Sequence, residues 1–123
     1  MFDHVGFPVR DAVKSRAFYT AALAPLGIGV VMEFPGWVGF GKLGRPQFWL
    51  GGKGTPPSGV HLAFAAATRA DVDAFYDAAI AAGGRDNGSP GLRPDYHANY
   101  YGAFVFDPDG HNVEAVCHSA ESA

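Results

Sequence analysis

Residues 4–27 read HVGFPVRDAVKSRAFYTAALAPLG, and residues 61–84 read HLAFAAATRADVDAFYDAAIAAGG. Laid over each other at an offset of 57 positions, without a gap, the two stretches share a histidine, a Phe-Tyr pair and a closing glycine. The identical pairs are His4 with His61, Phe7 with Phe64, Ala17-Phe18-Tyr19 with Ala74-Phe75-Tyr76, Ala21-Ala22 with Ala78-Ala79, Ala24 with Ala81, and Gly27 with Gly84. Chance does not readily align all of these together, so we interpret the match as an internal duplication and expect two similar structural units.

A strand followed by a helix is predicted at the start of each unit. Alternating apolar residues give each strand one apolar face, formed by Val5, Phe7 and Val9 in the first unit and by Val60, Leu62 and Phe64 in the second. Asp11 and Thr68 are the expected helix caps, and Gly27 and Gly83-Gly84 are the expected stops.

Short apolar segments after each helix predict further strands. They cover residues 28–34, 37–41 and 47–50 in the first unit, and residues 100–106 and 112–117 in the second. Residues 51–58 and 85–99 are rich in Gly, Pro and Asn and are predicted to be loops. At 123 residues the chain has room for one domain, 1–123, with units of about 1–55 and 56–118.

Composition narrows the classes of function. The formal net charge is -3 and no run of Lys or Arg forms a basic stripe, which disfavours nucleic acid as a partner. There is no run of about 18 apolar residues and no basic leader, so we expect no membrane association and a cytoplasmic location. The single cysteine, Cys117, cannot form an internal disulfide and lies on the apolar side of its strand, which predicts a buried, inert thiol.

Three metal-type ligands share one placement on their strands. Side chains alternate between the two faces of a strand, so a polar residue can be assigned to the face opposite the apolar set. His4, His61 and Glu114 each lie on that opposite face. A lone strand histidine or glutamate is more often a solvated group, but the matching placement of all three favours a metal site. Two imidazoles and a carboxylate suit iron, manganese, nickel or zinc.

The chain resembles the glyoxalase, bleomycin-resistance and extradiol-dioxygenase superfamily, whose enzymes are of the vicinal-oxygen-chelate type. The likeness covers almost the whole chain, and its most specific motif is the closing turn and strand. The residues that carry it are Asp3-His4-Val5-Gly6-Phe7, Gly59-Val60-His61-Leu62 and Asp107-Pro108-Asp109-Gly110-His111-Asn112-Val113-Glu114.

The resemblance implies an α+β fold of two βαβββ units that form an open, curved mixed-sheet cup with the helices outside. It also implies one divalent metal per subunit (Zn, Ni, Mn or Fe) held by His4, His61 and Glu114, and a homodimer. The expected activity is glyoxalase-like lyase or isomerase chemistry on a small substrate that chelates the metal through two oxygens. Alternatives are extradiol-type dioxygenation, thiol transfer to an epoxide antibiotic, and non-catalytic binding of a drug or metabolite.

One position departs from the four-ligand members of this family. They carry a carboxylate in the last strand of the first unit, where this chain has Gln47-Phe48-Trp49-Leu50. Alternation places Gln47 and Trp49 on the cup side, and neither is a good ligand. The site is therefore expected to have three protein ligands, which resembles the dioxygenase and fosfomycin thiol-transferase branches more than typical glyoxalase I.

Other residues are candidates for catalysis and substrate binding. His97 is a candidate acid or base, and Tyr100 and Tyr101 are candidate donors to a metal-bound oxyanion; the tyrosines are equally compatible with a packing role. Arg93 is a candidate partner for a substrate anion or a solvated charge. Candidate walls of the substrate site are Trp37 and Trp49, although large aromatics often simply fill cores. His111 falls on the side opposite Glu114 and is assigned a structural role.

Overall fold

The computed structural model describes residues 1–120, which form eight strands, two helices and a short 3₁₀ turn at Ala24–Leu26. The first unit contains β1 (Val5–Pro8), α1 (Ala12–Leu23), β2 (Gly29–Phe34), β3 (Trp37–Lys42) and β4 (Arg45–Gly51). The second contains β5 (His61–Ala65), α2 (Arg69–Ala81), β6 (Arg85–Leu92), β7 (Tyr101–Phe106) and β8 (Asn112–Cys117). Neither helix of the described chain has the length and apolar character that crossing a membrane requires.

The strands form two four-stranded sheets of the same topology. Sheet A has the order β1-β4-β3-β2, and sheet B has the order β5-β8-β7-β6. In each sheet the first and last strands of the unit pair in parallel and the other neighbours pair antiparallel. The sheets are open and mixed, and each unit carries one helix, so the predicted α+β fold of two βαβββ units is confirmed.

The expected caps set the helix starts. The side chain of Asp11 accepts a hydrogen bond from the Lys14 amide at 3.0 Å, and Thr68 accepts one from the Asp71 amide at 3.1 Å. These bonds satisfy amides that have no partner within the helix. After α1 the chain turns at Gly27, whose φ of 77° is the left-handed conformation that favours glycine. The capping residues and stops predicted from the sequence are confirmed.

One hydrophobic core joins the two units. Helices α1 and α2 pack against each other, and α2 covers β6, β7 and β8. Tyr19 of α1 makes an edge contact with Phe48 of sheet A at 5.0 Å, and Phe48 makes another with Phe64 of sheet B at 5.5 Å. Because the core residues occupy the helix-facing side of both sheets, the opposite faces remain available for function.

The prediction that residues 85–99 form a loop is wrong for residues 85–92, which form strand β6. Residues 85–92 pair with β7 at the edge of sheet B, with register shifts around Gly88, whose φ is 145°. Gly and Pro are tolerated in an edge strand because bulges absorb their irregular geometry and one side of the strand needs no partner. Within residues 93–100 no helix or strand is present, so the loop prediction holds only for that part.

Candidate functional site

His61 and Glu114 lie side by side on sheet B, on the face away from the helices. Their strands are parallel neighbours in a register that pairs Ala63 with Glu114 and His61 with Asn112. Since residues two apart on a strand share a face, His61 and Glu114 become diagonal neighbours. Nε2 of His61 lies 2.9 Å from Oε1 of Glu114. The two metal-type ligands predicted for the second unit are therefore brought together.

Glu114 is a buried carboxylate with a partner at each oxygen. Its side chain is 2% exposed, and the hydroxyl of Tyr100 donates a hydrogen bond to Oε2. A carboxylate is costly to remove from water unless donors replace its hydration. Burial, followed by the hydrogen bond to Glu114 and its negative charge, raises the pKa of Tyr100 well above its ordinary value. Tyr100 therefore remains a protonated donor across the physiological range.

Arg93 lies over the ring of Phe104, which also neighbours His61. Its guanidinium lies 5.4 Å from the ring centroid of Phe104, and Phe104 is the β7 residue directly opposite Glu114. The ring of His61 is 6.4 Å from the same phenyl ring. One guanidinium nitrogen donates to the Ser89 carbonyl at 2.8 Å, which holds the charge in place. Phe104 was not among the predicted site residues. Its pairing with Glu114 could have been predicted, because the two residues are equally far from the centre of the turn at residues 107–111.

His97 belongs to a ring cluster around Tyr100. Its ring packs against His118 with a centroid separation of 5.7 Å, and His118 packs against Tyr100 at 5.2 Å. Nδ1 of His97 accepts a hydrogen bond from the Asn99 amide at 3.2 Å, and the side chain is exposed. The ring of His97 is thus linked to Glu114 through His118 and then Tyr100. His118, which we did not predict as a site residue, is part of this cluster.

Tyr101 faces a different part of the molecule. Its hydroxyl donates to Asp73 of α2 at 2.6 Å, and Arg69 of the same helix lies over its ring. Consecutive residues at the start of a strand point to opposite sides, so Tyr100 faces the Glu114 side and Tyr101 faces the helix. The structure therefore separates the two tyrosines that we had placed together as candidate donors.

His4 lies at a separate cavity on sheet A. This open cavity of about 350 Å³ is bounded by His4, Gly6, Phe34, Trp37 and Trp49. His4 precedes β1, its side chain is 59% exposed, and its Nδ1 lies 2.7 Å from a carboxylate oxygen of Asp3. The two tryptophans proposed as substrate walls are therefore brought together with His4.

Glycines let both indoles of this cavity lie close to the sheet. A Cβ atom at Gly39 would come within 3.0 Å of the Trp49 ring, and one at Gly51 would come within 2.5 Å of the Trp37 ring. Phe34 stacks on Trp49 with a centroid separation of 5.7 Å and an interplanar angle of 22°. Both tryptophans are half-buried on the site face and are not part of the hydrophobic core.

The two halves of the predicted metal site are not joined within one chain. Among residues 1–120 no three His, Cys, Asp or Glu side chains are grouped so that they could hold a metal ion. The pair on sheet B offers one imidazole and one carboxylate, while His4 offers a second imidazole from sheet A. These donor types are ones that bind divalent metals, and a site with three protein ligands would need one more ligand than the sheet B pair offers.

His111 and Cys117 are interior residues. Nδ1 of His111 accepts a hydrogen bond from the Val60 amide at 3.2 Å, and its ring makes an edge contact with Phe7. His111 is 0% exposed, in agreement with the structural role assigned to it, and Cys117 is buried as predicted.

Comparisons with known proteins identify the family. A model of the Glyoxalase/Bleomycin resistance protein/Dioxygenase superfamily matches residues 1–115. The chain therefore belongs to this superfamily. No curated protein matches the chain.

Solved structures share the fold over nearly the whole chain. A glyoxalase/bleomycin resistance protein from Albidiferax ferrireducens T118 is 32% identical, with a TM-score of 0.81 and coverage of 95% of this chain and 98% of that one. A putative glyoxalase from Bacillus halodurans is 27% identical, with a TM-score of 0.71 and 95% of both chains covered. A family enzyme from Burkholderia phytofirmans PsJN, 21% identical with a TM-score of 0.73, covers 95% of this chain and 98% of its own and shows the fold alone.

Proposed function

We propose that this chain is the subunit of a homodimeric, metal-dependent enzyme of the vicinal-oxygen-chelate type. One divalent metal (Zn, Ni, Mn or Fe) is held by His61 and Glu114 of one chain and His4 of a second copy. The observation that carries the proposal is the His61–Glu114 pair, two ligand-type atoms 2.9 Å apart on the face of sheet B away from the helices.

The duplication supports a site built from two copies. Trp49 pairs with Gly6 in sheet A, at the same register position at which Glu114 pairs with Ala63 in sheet B. Each unit thus has a histidine at its start, His4 just before β1 and His61 in β5, and a last-strand residue at the equivalent register position. In the proposed dimer, sheet A of one chain would lie over sheet B of the other, with His4 beside His61 and Glu114. Within one chain these residues form no such group in the part that the structure describes.

Exposed apolar surface supports the dimer. Phe34 is 59% exposed on sheet A and Leu92 is 49% exposed on sheet B. Strands β1, β2, β5 and β6 form the edges of two open sheets. Such surface is commonly covered by association, and a symmetric pair buries the same patch twice.

The chain's own residues prepare the site for a small anionic substrate with two adjacent oxygens. A bound divalent metal supplies Lewis-acid stabilisation of negative charge on a substrate oxygen. Arg93 holds a positive charge over the ring of Phe104, which His61 also neighbours, and this charge suits a substrate carboxylate or similar anion. His97 offers an exposed imidazole for proton exchange with solvent. Glyoxalase-like isomerase or lyase chemistry is the favoured reaction class, with extradiol-type dioxygenation and thiol transfer to an epoxide as the alternatives.

Metal content of protein purified without a His tag tests this proposal. We expect His4→Ala, His61→Ala and Glu114→Gln each to lose at least about 90% of the bound metal, since losing even a group that hydrogen-bonds to a ligand costs about 10–100-fold in affinity. Glu33→Gln is the matched control, because Glu33 is another strand carboxylate, and His111→Ala should also retain metal. Unchanged stoichiometry in the three ligand variants would contradict the metal site.

A non-catalytic binding protein is the second candidate function. It is favoured by the aromatic cavity of Phe34, Trp37 and Trp49, which presents flat ring surface to a drug or metabolite. Ligand binding that persists after metal removal, with no metal-dependent turnover of any chelating substrate, would favour this function over the enzyme.

A further inference from the structure

Tyr100 is in direct contact with the buried carboxylate of Glu114. The hydroxyl of Tyr100 donates to Oε2, while Nε2 of His61 lies 2.9 Å from Oε1. The two carboxylate oxygens are therefore distinguished by their partners. Oε1 faces the imidazole of His61, and Oε2 accepts the hydrogen bond from the Tyr100 hydroxyl.

The backbone around Tyr100 fixes the position of its ring. Its amide donates to the His97 carbonyl at 3.1 Å, and its carbonyl accepts from the Arg93 amide at 2.7 Å. Tyr96 packs edge-on against one side of the ring at 5.1 Å, and His118 contacts it at 5.2 Å. Packing on several sides keeps the ring in one orientation and its hydroxyl in one position. Forming the hydrogen bond to Glu114 therefore costs little side-chain entropy.

Gly102 leaves room for this contact. A Cβ atom at this position would lie 3.2 Å from the Tyr100 ring and 3.4 Å from Oε2 of Glu114. Gly102 is on the same strand face as Tyr100 and is buried. A side chain here would crowd the phenol and the carboxylate at the point where they meet.

We infer that Tyr100 is a positioning residue that holds Glu114 by Oε2 and thereby leaves Oε1, the oxygen beside His61, as the atom offered to a metal. The inference rests on the metal site proposed above. Groups that hydrogen-bond to ligating carboxylates orient them, and their loss typically weakens metal binding by about 10–100-fold. Tyr100 acts through Glu114 and does not need to touch the substrate.

Cobalt binding to untagged protein tests the inference, with Tyr100→Phe compared with Tyr96→Phe. Both variants lose one phenol hydroxyl and keep the ring, and Tyr96 is 66% exposed. We expect Tyr100→Phe to bind Co²⁺ about 10–100-fold more weakly and to change the visible absorption of the bound ion. Tyr96→Phe should match the wild type within about twofold. Equal affinity and an identical spectrum in Tyr100→Phe would overturn the inference.

A metal-free measurement separates this inference from the proposed function. A phenol that donates to a buried carboxylate protects its proton from exchange and shifts its ¹H resonance downfield. We expect such a resonance in the wild type and in Tyr96→Phe, and its loss in Tyr100→Phe and Glu114→Gln. Its absence from the wild type would refute the anchoring of Glu114. Failure of wild-type protein to bind Co²⁺ while the resonance is present would refute the metal site, and with it the role of Oε1, but not the hydrogen bond that anchors Glu114.

Discussion

Trp49 and Glu114 occupy equivalent positions in two sheets of the same topology. Trp49 pairs with Gly6 across β4 and β1, and Glu114 pairs with Ala63 across β8 and β5. The duplication has thus kept the backbone position and changed the chemistry of the side chain. Where sheet B presents a carboxylate to the site face, sheet A presents an indole.

Replacing Trp49 by Glu is expected to add a fourth ligand to the proposed metal site. Trp49 is half-buried on the site face and stacks with Phe34, so a carboxylate there reaches the same cavity as His4. We expect Trp49→Glu to release metal to a chelator about tenfold more slowly than the wild type. Binding of a bidentate substrate should weaken because one exchangeable position is taken.

Trp49→Gln is the matched control, since it removes the same ring and adds no charge. It should release metal at the wild-type rate or faster. If Trp49→Glu and Trp49→Gln release metal equally fast, position 49 does not reach the metal.

Alternation along a strand predicted which face each ligand occupies, but not which neighbours it meets. The face of His61 and that of Glu114 followed from Leu62, Phe64, Val113 and Ala115. His61 lies close to Glu114 because of the parallel register of β5 and β8. His4 lies apart from both residues because of the way the two units pack. Neither is encoded in a local pattern. The direction of the Tyr100 hydroxyl likewise depends on a tertiary contact.

At the level of elements, a side-chain hydrogen bond connects helix α1 to the turn that precedes β8. The hydroxyl of Tyr19 donates to Oδ2 of Asp107 at 2.5 Å, and Oδ1 of Asp107 accepts from the amides of Asp109 and His111 at 2.9 Å each. Tyr19 is 0% exposed and Asp107 is 4% exposed. Burial, and then the negative charge of Asp107, raises the pKa of Tyr19 far above its ordinary value.

Tyr19→Phe is expected to destabilise the fold by about 1–3 kcal/mol, because it leaves a buried carboxylate oxygen without its donor. Tyr76 is the matched control, since it occupies the equivalent position in α2 and bonds to the exposed Asp86 at 2.9 Å. Tyr76→Phe should cost less than about 0.5 kcal/mol. Urea unfolding of the two variants measures the difference, and equal losses would show that the Tyr19–Asp107 bond does not join the units as described.

Most elements could be predicted from residue patterns, and β6 shows where such patterns fail. Asp11, Thr68 and Gly27 mark helix ends through local backbone chemistry, which a short stretch of sequence contains. Strand β6 reads Arg-Asp-Asn-Gly-Ser-Pro-Gly-Leu, a composition typical of loops. Its pairing comes from β7, and its bulges come from Gly88. The duplication could have indicated strand β6, because residues 29–34 of β2, shifted by 57 positions, fall within residues 85–92.

At the scale of the whole molecule, the proposed site needs two chains. Sheet A presents His4 beside an aromatic cavity, and sheet B presents His61 beside Glu114. In a twofold dimer each site would combine sheet A of one chain with sheet B of the other. Light scattering at micromolar concentration should give the mass of a dimer.

Metal recovery in mixed dimers of two defective variants tests this account most directly. His4→Ala damages sheet A only, and Glu114→Gln damages sheet B only, so each variant alone should bind little metal. In a refolded equimolar mixture half of the dimers are mixed, and each mixed dimer holds one intact site. We therefore expect about one quarter of the wild-type metal content per chain. No recovery, in a mixture shown by native mass spectrometry to contain mixed dimers, would contradict a site shared between two chains.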